Sequence, residues 1–232
     1  MELITQGIRE ALFLLLRGDP EVMEIAGRTL LVSGTATLLA VGVGIPLGAL
    51  VAFTRFPGRR AVISLLNLGM GLPPVVVGLW VTLLLWRSGP LGRLGLLYTP
   101  TAMIIAQGLI AAPIVTALTV AALQQVSEAL KQQIWALGVT WWQYVWLILR
   151  EARYSLFAAV IAGFGAVVSE VGASTMVGGN IKGYTRVLTT ATVMEVRKGH
   201  FALAIGLSIV LLLLAYLLTL GLTLLQQRER KM

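Results

Sequence analysis

The chain has 232 residues, 57% of them apolar and only 12% charged. Soluble domains run nearer roughly 45–50% apolar and about 25% charged, so a soluble globule would lack the polar residues to cover itself, and disorder is excluded by the same apolar excess. The net charge of +8 points to anionic lipid headgroups before nucleic acid, while zero cysteines and a single histidine, His200, exclude disulfides, thiolate chemistry and clustered-His metal sites.

In chain order, the first stretch, 3–16, is apolar on one side but carries Arg9 and Glu10. It predicts an amphipathic helix lying in the membrane interface, with a tilted sixth span as the alternative. Gly18-Asp19-Pro20 ends it, and residues 1–24 form an N-terminal helix and elbow. No basic n-region followed by a cleavage site precedes this point, so no removable signal peptide is expected. Charge-free windows at 29–54, 61–86, 94–127 and 201–227 are each long enough for a crossing helix, which needs roughly 20 residues. The best core of the third is 101–123. A fifth span, 154–177, contains one carboxylate, Glu170. The expected architecture is therefore an all-α integral membrane protein. Its transmembrane domain covers 25–227, with spans near 29–54, 61–86, 101–123, 154–177 and 201–225, followed by a basic cytosolic tail at 228–232.

Between the third and fourth spans, 128–153 holds Trp135, Trp141, Trp142, Tyr144 and Trp146 among polar residues. Amphipathic aromatics belong at the water–lipid boundary. The segment predicts a helical cytosolic loop within 124–153 that touches the membrane surface. Basic residues divide evenly between the two sides of the membrane. The compact turn with Arg55, Arg59 and Arg60 and the tail with Arg228, Arg230 and Lys231 favour a cytosolic loop.

The spans contain few groups that could do chemistry. The first is rich in small residues, Gly34, Gly42, Gly44 and Gly48, which allow close helix approach. The second carries Pro73-Pro74, which frees backbone carbonyls and bends the helix; those carbonyls must find partners or face a water-lined cavity. A helix that lines and gates a path is one reading, and an ordinary kink is the other. Glu170, as an intramembrane acid, is a functional candidate, with pairing to Arg186 or Lys182 as the plainer account. The small and hydroxyl residues that follow place Ser174, Thr175 and Asn180 beside Ser169 as lining of a path or gate. Gly178, Gly179 and Gly183 could turn the chain to expose N–H groups to an oxyanion or could form a generic turn. No phosphate-binding GxxxxGK[ST] loop, HExxH or GxSxG occurs, so no enzymatic activity is expected.

At Ala136-Leu137-Gly138, flanked by helix and followed by Ile148, the chain resembles the cytosolic loop of binding-protein-dependent ABC importer permeases. Leu72-Pro73-Pro74-Val75-Val76-Val77-Gly78, Ser169-Glu170-Val171-Gly172-Ala173 and Gly178-Gly179-Asn180-Ile181 resemble the molybdate/tungstate group. Lys182-Gly183-Tyr184-Thr185-Arg186 is similar to its tungstate-specific branch. The family's Glu-Ala-Ala signature falls on Gln132, Gln133 and Ile134, and its Leu-Pro close on Arg150-Glu151, so the docking surface is altered in detail. The resemblance implies a type I ABC importer permease fold in a prokaryotic plasma membrane. It implies a path for tungstate or molybdate formed by two copies of the chain among membrane lipids. Further implied partners are two cytosolic ABC ATPase subunits that use ATP and Mg, and an extracytosolic oxyanion-binding protein; this chain itself binds no cofactor. Gln132, Gln133, Ala136, Leu137, Gly138, Arg150 and Glu151 would couple to the ATPase. The alternative is a self-contained anion channel or secondary transporter, which would carry its ion without any ATPase.

Overall fold

Asp19 and Pro20 set where the first long helix begins. In the computed structural model, which describes residues 2–230, the Asp19 carboxylate accepts hydrogen bonds from the Glu21 and Val22 N–H groups at 3.0 and 3.1 Å. Pro20 has no N–H to lose in a first turn. Helix α1 (Glu2–Arg17) therefore gives way directly to α2 (Pro20–Phe53), which starts well before the apolar window 29–54. At 34 residues α2 rises about 51 Å, longer than the ~30 Å of bilayer hydrocarbon. Its charged first turns, with Glu21, Glu24 and Arg28, can stand clear of the apolar slab.

Helix α5 (Pro100–Gln125) is the main partner of α2. Gly44 and Gly48 allow the approach: a Cβ on Gly48 would sit 2.6 Å from the Thr119 Cβ. Lipid supplies no hydrophobic drive between helices, so such close packing of small residues has to hold the pair together. Val32 and Ala40 of α2 and Ala106, Ala111 and Val115 of α5 form the centre of the core.

The expected span at 61–86, with its bend at Pro73-Pro74, is built from two helices, α3 (Arg59–Met70) and α4 (Pro74–Leu85), meeting at 99°. Pro73 takes an extended conformation and neither proline can donate to the carbonyl four residues back, so the helix ends and restarts. The stretch 154–177 is also broken. The chain there runs as α8 (Arg153–Val168), a break at Ser169-Glu170-Val171, and the short α9 (Gly172–Gly178). The loop before it contains α6 (Glu128–Ala136) and α7 (Trp141–Glu151), and α7 turns into α8 through 67° at Ala152.

Helix α10 (Leu188–Arg197) leads to α11 (Phe201–Arg230). Near its start α11 packs against α1, where a Cβ on Gly7 would collide with Ile205. The basic tail read at 228–232 falls outside the described residues apart from the helix backbone to Arg230. Three helices, α2, α5 and α11, are long and apolar enough to cross a membrane, and the two bent pairs, α3–α4 and α7–α8, bring the number of possible crossings to five among the described residues.

The two helix breaks meet. Gly78 of α4 lies on Ala173 of α9, whose Cα would be 2.6 Å from an added Cβ. Because that neighbour is backbone, it cannot rotate aside. Gly78→Leu should therefore lower the stability of the purified protein by about 1–3 kcal/mol, read as a drop in the thermal unfolding midpoint in detergent. An unchanged midpoint would mean the α4–α9 contact is not closed in the native protein.

Candidate functional site

One end of the molecule is built around α6 and α7. Ser127 starts α6 by accepting from the Leu130 N–H at 3.3 Å. The helix ends at Leu137, and Gly138 adopts φ +72°, a left-handed conformation that glycine takes at little cost. Thr140 and Gln143 then close a capping box for α7, with the Thr140 N–H donating to Gln143 Oε1 at 2.8 Å. The Trp135 ring stacks on Tyr144 with centroids 4.7 Å apart, and Phe53 at the end of α2 meets Tyr144 edge-on at 5.7 Å. Together with buried Ile134 and Ile148 these rings fasten the loop to the ends of α2 and α5. Gln132, Gln133, Ala136, Leu137 and Gly138 all remain exposed, Leu137 at 79%. They form one continuous outward surface. Arg150 and Glu151 are exposed as well, but they stand at the far end of α7, about 14 Å along its axis from Trp141. The structure thus divides the expected coupling set into two patches.

At mid-chain depth the breaks at Pro73-Pro74 and at Ser169-Glu170 face each other through Val75 and Gly172, whose added Cβ would touch Val75 Cγ2 at 2.7 Å. Glu170 is only 5% exposed. Its two carboxylate oxygens accept from the Ala173 and Ser174 N–H groups, each at 2.8 Å, and its carbonyl accepts from the Thr189 hydroxyl at 3.0 Å. The plainer expectation for this acid, pairing with Arg186 or Lys182, is overturned: both cations pair with Glu21 instead. The unpaired N–H groups that open α9 attract the carboxylate more closely than any side-chain cation does.

Ser174 is fully buried and accepts from Gln107 Nε2 at 3.0 Å. Sequence reasoning does not single out Gln107, although it is the one amide within 101–123. Ser169 and Thr175 are exposed, but their hydroxyls donate to helix carbonyls, those of Gly165 at 2.8 Å and Val171 at 2.7 Å. The Asn180 side-chain Oδ1 accepts from the Thr190 hydroxyl at 2.9 Å. Two of the N–H groups in the glycine turn after α9 are already bonded. The Gly179 N–H goes to Thr175, and Thr185 bridges the Ile181 N–H to the Gly178 carbonyl.

At the end opposite the α6–α7 loop, Glu195 is nearly buried and accepts from Lys198 Nζ at 2.8 Å, with His200 Nδ1 also at 2.8 Å. Burial alone would raise its pKa, but the hydrogen bonds and charges of Lys198 and His200 prevail and hold it below the usual carboxylate value. The stability this provides is fully present above the unfolded value of about 4.3 and is lost as pH falls through the lower folded value. The stability gap between the wild type and Glu195→Gln should therefore narrow on acidification below about pH 4, read from thermal unfolding over a pH series. A gap that stays constant would contradict the ion cluster.

A family model for the inner membrane component of binding-protein-dependent transport systems matches residues 44–231. The chain belongs to this family of ABC importer permeases. It is 42% identical over 216 residues to the tungstate uptake system permease of Peptoclostridium acidaminophilum, covering 93% of this chain and 95% of that one. A probable anion ABC transporter permease of Haloferax volcanii is 41% identical, with 83% and 85% coverage. The tungstate uptake system permease of Campylobacter jejuni is 36% identical, with 94% and 91% coverage. The permease shares its fold with the methionine ABC transporter in an inward-facing conformation, at TM-score 0.72 and 23% identity over 94% of this chain and 96% of that one. A bacterial alginate importer matches at TM-score 0.74 and 19% identity, with 93% and 82% coverage. The permease is thus a multi-pass inner-membrane component of an ABC importer, and ATP hydrolysis in such a transporter falls to a separate subunit.

Proposed function

We propose that this permease forms, as a homodimer, the membrane path for a small oxyanion, tungstate before molybdate. An extracytosolic binding protein delivers the ion and two cytosolic ATPase subunits drive the cycle. The observation that carries the substrate is the near full-length identity of 42% and 36% to two tungstate uptake permeases. The geometry agrees with the assembly. The exposed patch from Gln132 to Gly138 gives each ATPase subunit a rigid knob to hold, and the α6–α7 end is then cytosolic. Pro73, Pro74, Val75 and Val76 are exposed where the α3–α4 helix is broken. A break of this kind does not face lipid, so a second copy and the path between the copies account for it.

Glu170 in this reading holds the α8–α9 break in shape and does not touch the ion. With no lysine or arginine in the predicted spans, the path binds the dianion weakly, and weak binding lets the ion leave. Reconstitution in liposomes with the cognate ATPase and binding protein should give tungstate uptake that requires ATP and both partners. Tungstate flux through the permease alone would replace this reading with a self-contained channel.

A further inference from the structure

Two short helices and the start of α4 enclose a hollow of about 450 Å³ beside the paired breaks. Gly172, Thr175, Met176 and Gly179 line it from one side, and Thr190, Val193, Met194 and Arg197 from the other. Both sets follow the spacing i, i+3, i+4, i+7, so each is one face of a helix turned toward the same space. Val75, next to Pro74, lines it as well. Arg197 is the single charged residue of the lining.

Several cations at this end of the molecule are engaged by carboxylates. Arg28 pairs with Glu24, Lys182 and Arg186 with Glu21, and Lys198 and His200 with Glu195. Arg197 is exposed and has no carboxylate partner among the described residues. Lys198, adjacent in sequence, faces a different hollow with Glu195 and His200. Asn180 also lines the hollow, its amide nitrogen 3.4 Å from both the Thr190 carbonyl and the Met194 sulfur, and the two hydroxyls there donate to the protein itself. Thr175 gives its hydrogen to Val171, and Thr190 gives its hydrogen to Asn180 or Val187. An anion entering the hollow would therefore find one charged donor group, the guanidinium, whose planar fork suits an oxyanion, with the Asn180 amide as a weaker neutral donor nearby.

We propose that Arg197 forms a transient first binding site for a small oxyanion, at the mouth of the path and next to the helix breaks that line it. The site deepens the importer reading and rests on it. A homodimer presents two such guanidinium groups, two positive charges for a dianion, before the ion enters apolar spans that carry none. The arginine lies at the hollow's rim, so it attracts the ion without trapping it.

Two measurements on the purified transporter complex test the site. In the first, ATP-driven tungstate uptake is followed as the loaded binding protein is varied. Arg197→Gln should cut the maximal rate about tenfold, the size expected for losing one charge-assisted contact, and Arg197→Lys should restore most of it. An unchanged rate overturns the proposal. So does a change confined to the concentration of binding protein needed, which would make Arg197 a contact for that protein. The second measurement needs no transport. The chain has no cysteine, so Thr175→Cys places a single thiol in the hollow. Millimolar tungstate, against chloride at equal ionic strength, should slow its alkylation at least twofold, and should not do so when Arg197→Gln is added. Equal alkylation with and without tungstate in both proteins overturns the site. If protection is present but the complex transports no oxyanion with ATP, the importer reading fails and the anion site stands.

Discussion

Replacing Gly138 with arginine should reduce ATP-driven uptake by about a hundredfold, the effect of losing an interface anchor worth roughly 3 kcal/mol. The permease should still reach the membrane and purify intact. Two features support this separation. Gly138 has φ +72°, so any side chain adds strain, but of only about 1–2 kcal/mol in an exposed loop. An added Cβ there meets nothing within 4 Å in the permease itself. A large loss of transport therefore has to arise from what lies across the loop, where a long cation would enter a docking surface with no matching charge. Gly138→Asn is the control, because asparagine tolerates the left-handed conformation and adds little bulk. It should keep most of the uptake and most of the co-purifying ATPase. If the arginine variant transports as well as the wild type, the patch from Gln132 to Gly138 is not where the ATPase holds the permease.

The second large effect is expected at Glu170. Glu170→Ala removes the acceptor from two N–H groups in a buried site, at about 1–3 kcal/mol for each unsatisfied group. The variant should unfold at markedly lower temperature in detergent. Glu170→Gln retains one acceptor oxygen and should be intermediate. Transport should fall only in proportion to the folded protein recovered, because the carboxylate is turned toward α9 and not toward the path. A Glu170→Gln variant of full stability but without uptake would reverse the assignment and make the acid a gate. The same experiment separates the two meanings of an intramembrane carboxylate, since a clamp is read in the unfolding midpoint and a gate in the rate.

Particular elements show how far the sequence could be followed. The long charge-free windows became α2, α5 and α11 because hydropathy and length are sums along the chain and need no knowledge of direction. Gly138 stood out only through the resemblance of Ala136-Leu137-Gly138 to an importer loop, and its left-handed φ of +72° came from the structure. The window at 61–86 was legible as apolar but not as two helices at 99°, because counting residues says nothing about the angle at Pro73-Pro74. Glu170 was visible as an anomaly, while its partners, two backbone N–H groups, leave no trace in side-chain identity.

The sequence by itself determined that this chain lies in a bilayer, roughly where it crosses, and which residues stand out at the loop between α5 and α8. Those properties follow from local composition and spacing. Only the tertiary structure decided that the two helix breaks face one another, that Arg150 and Glu151 stand apart from Gly138, and that Arg197 and Lys198 open onto different hollows. Adjacent residues on a helix are separated by about 100° of rotation, so a one-dimensional charge pattern cannot distinguish a cation held by Glu195 from one left available at the mouth of a path.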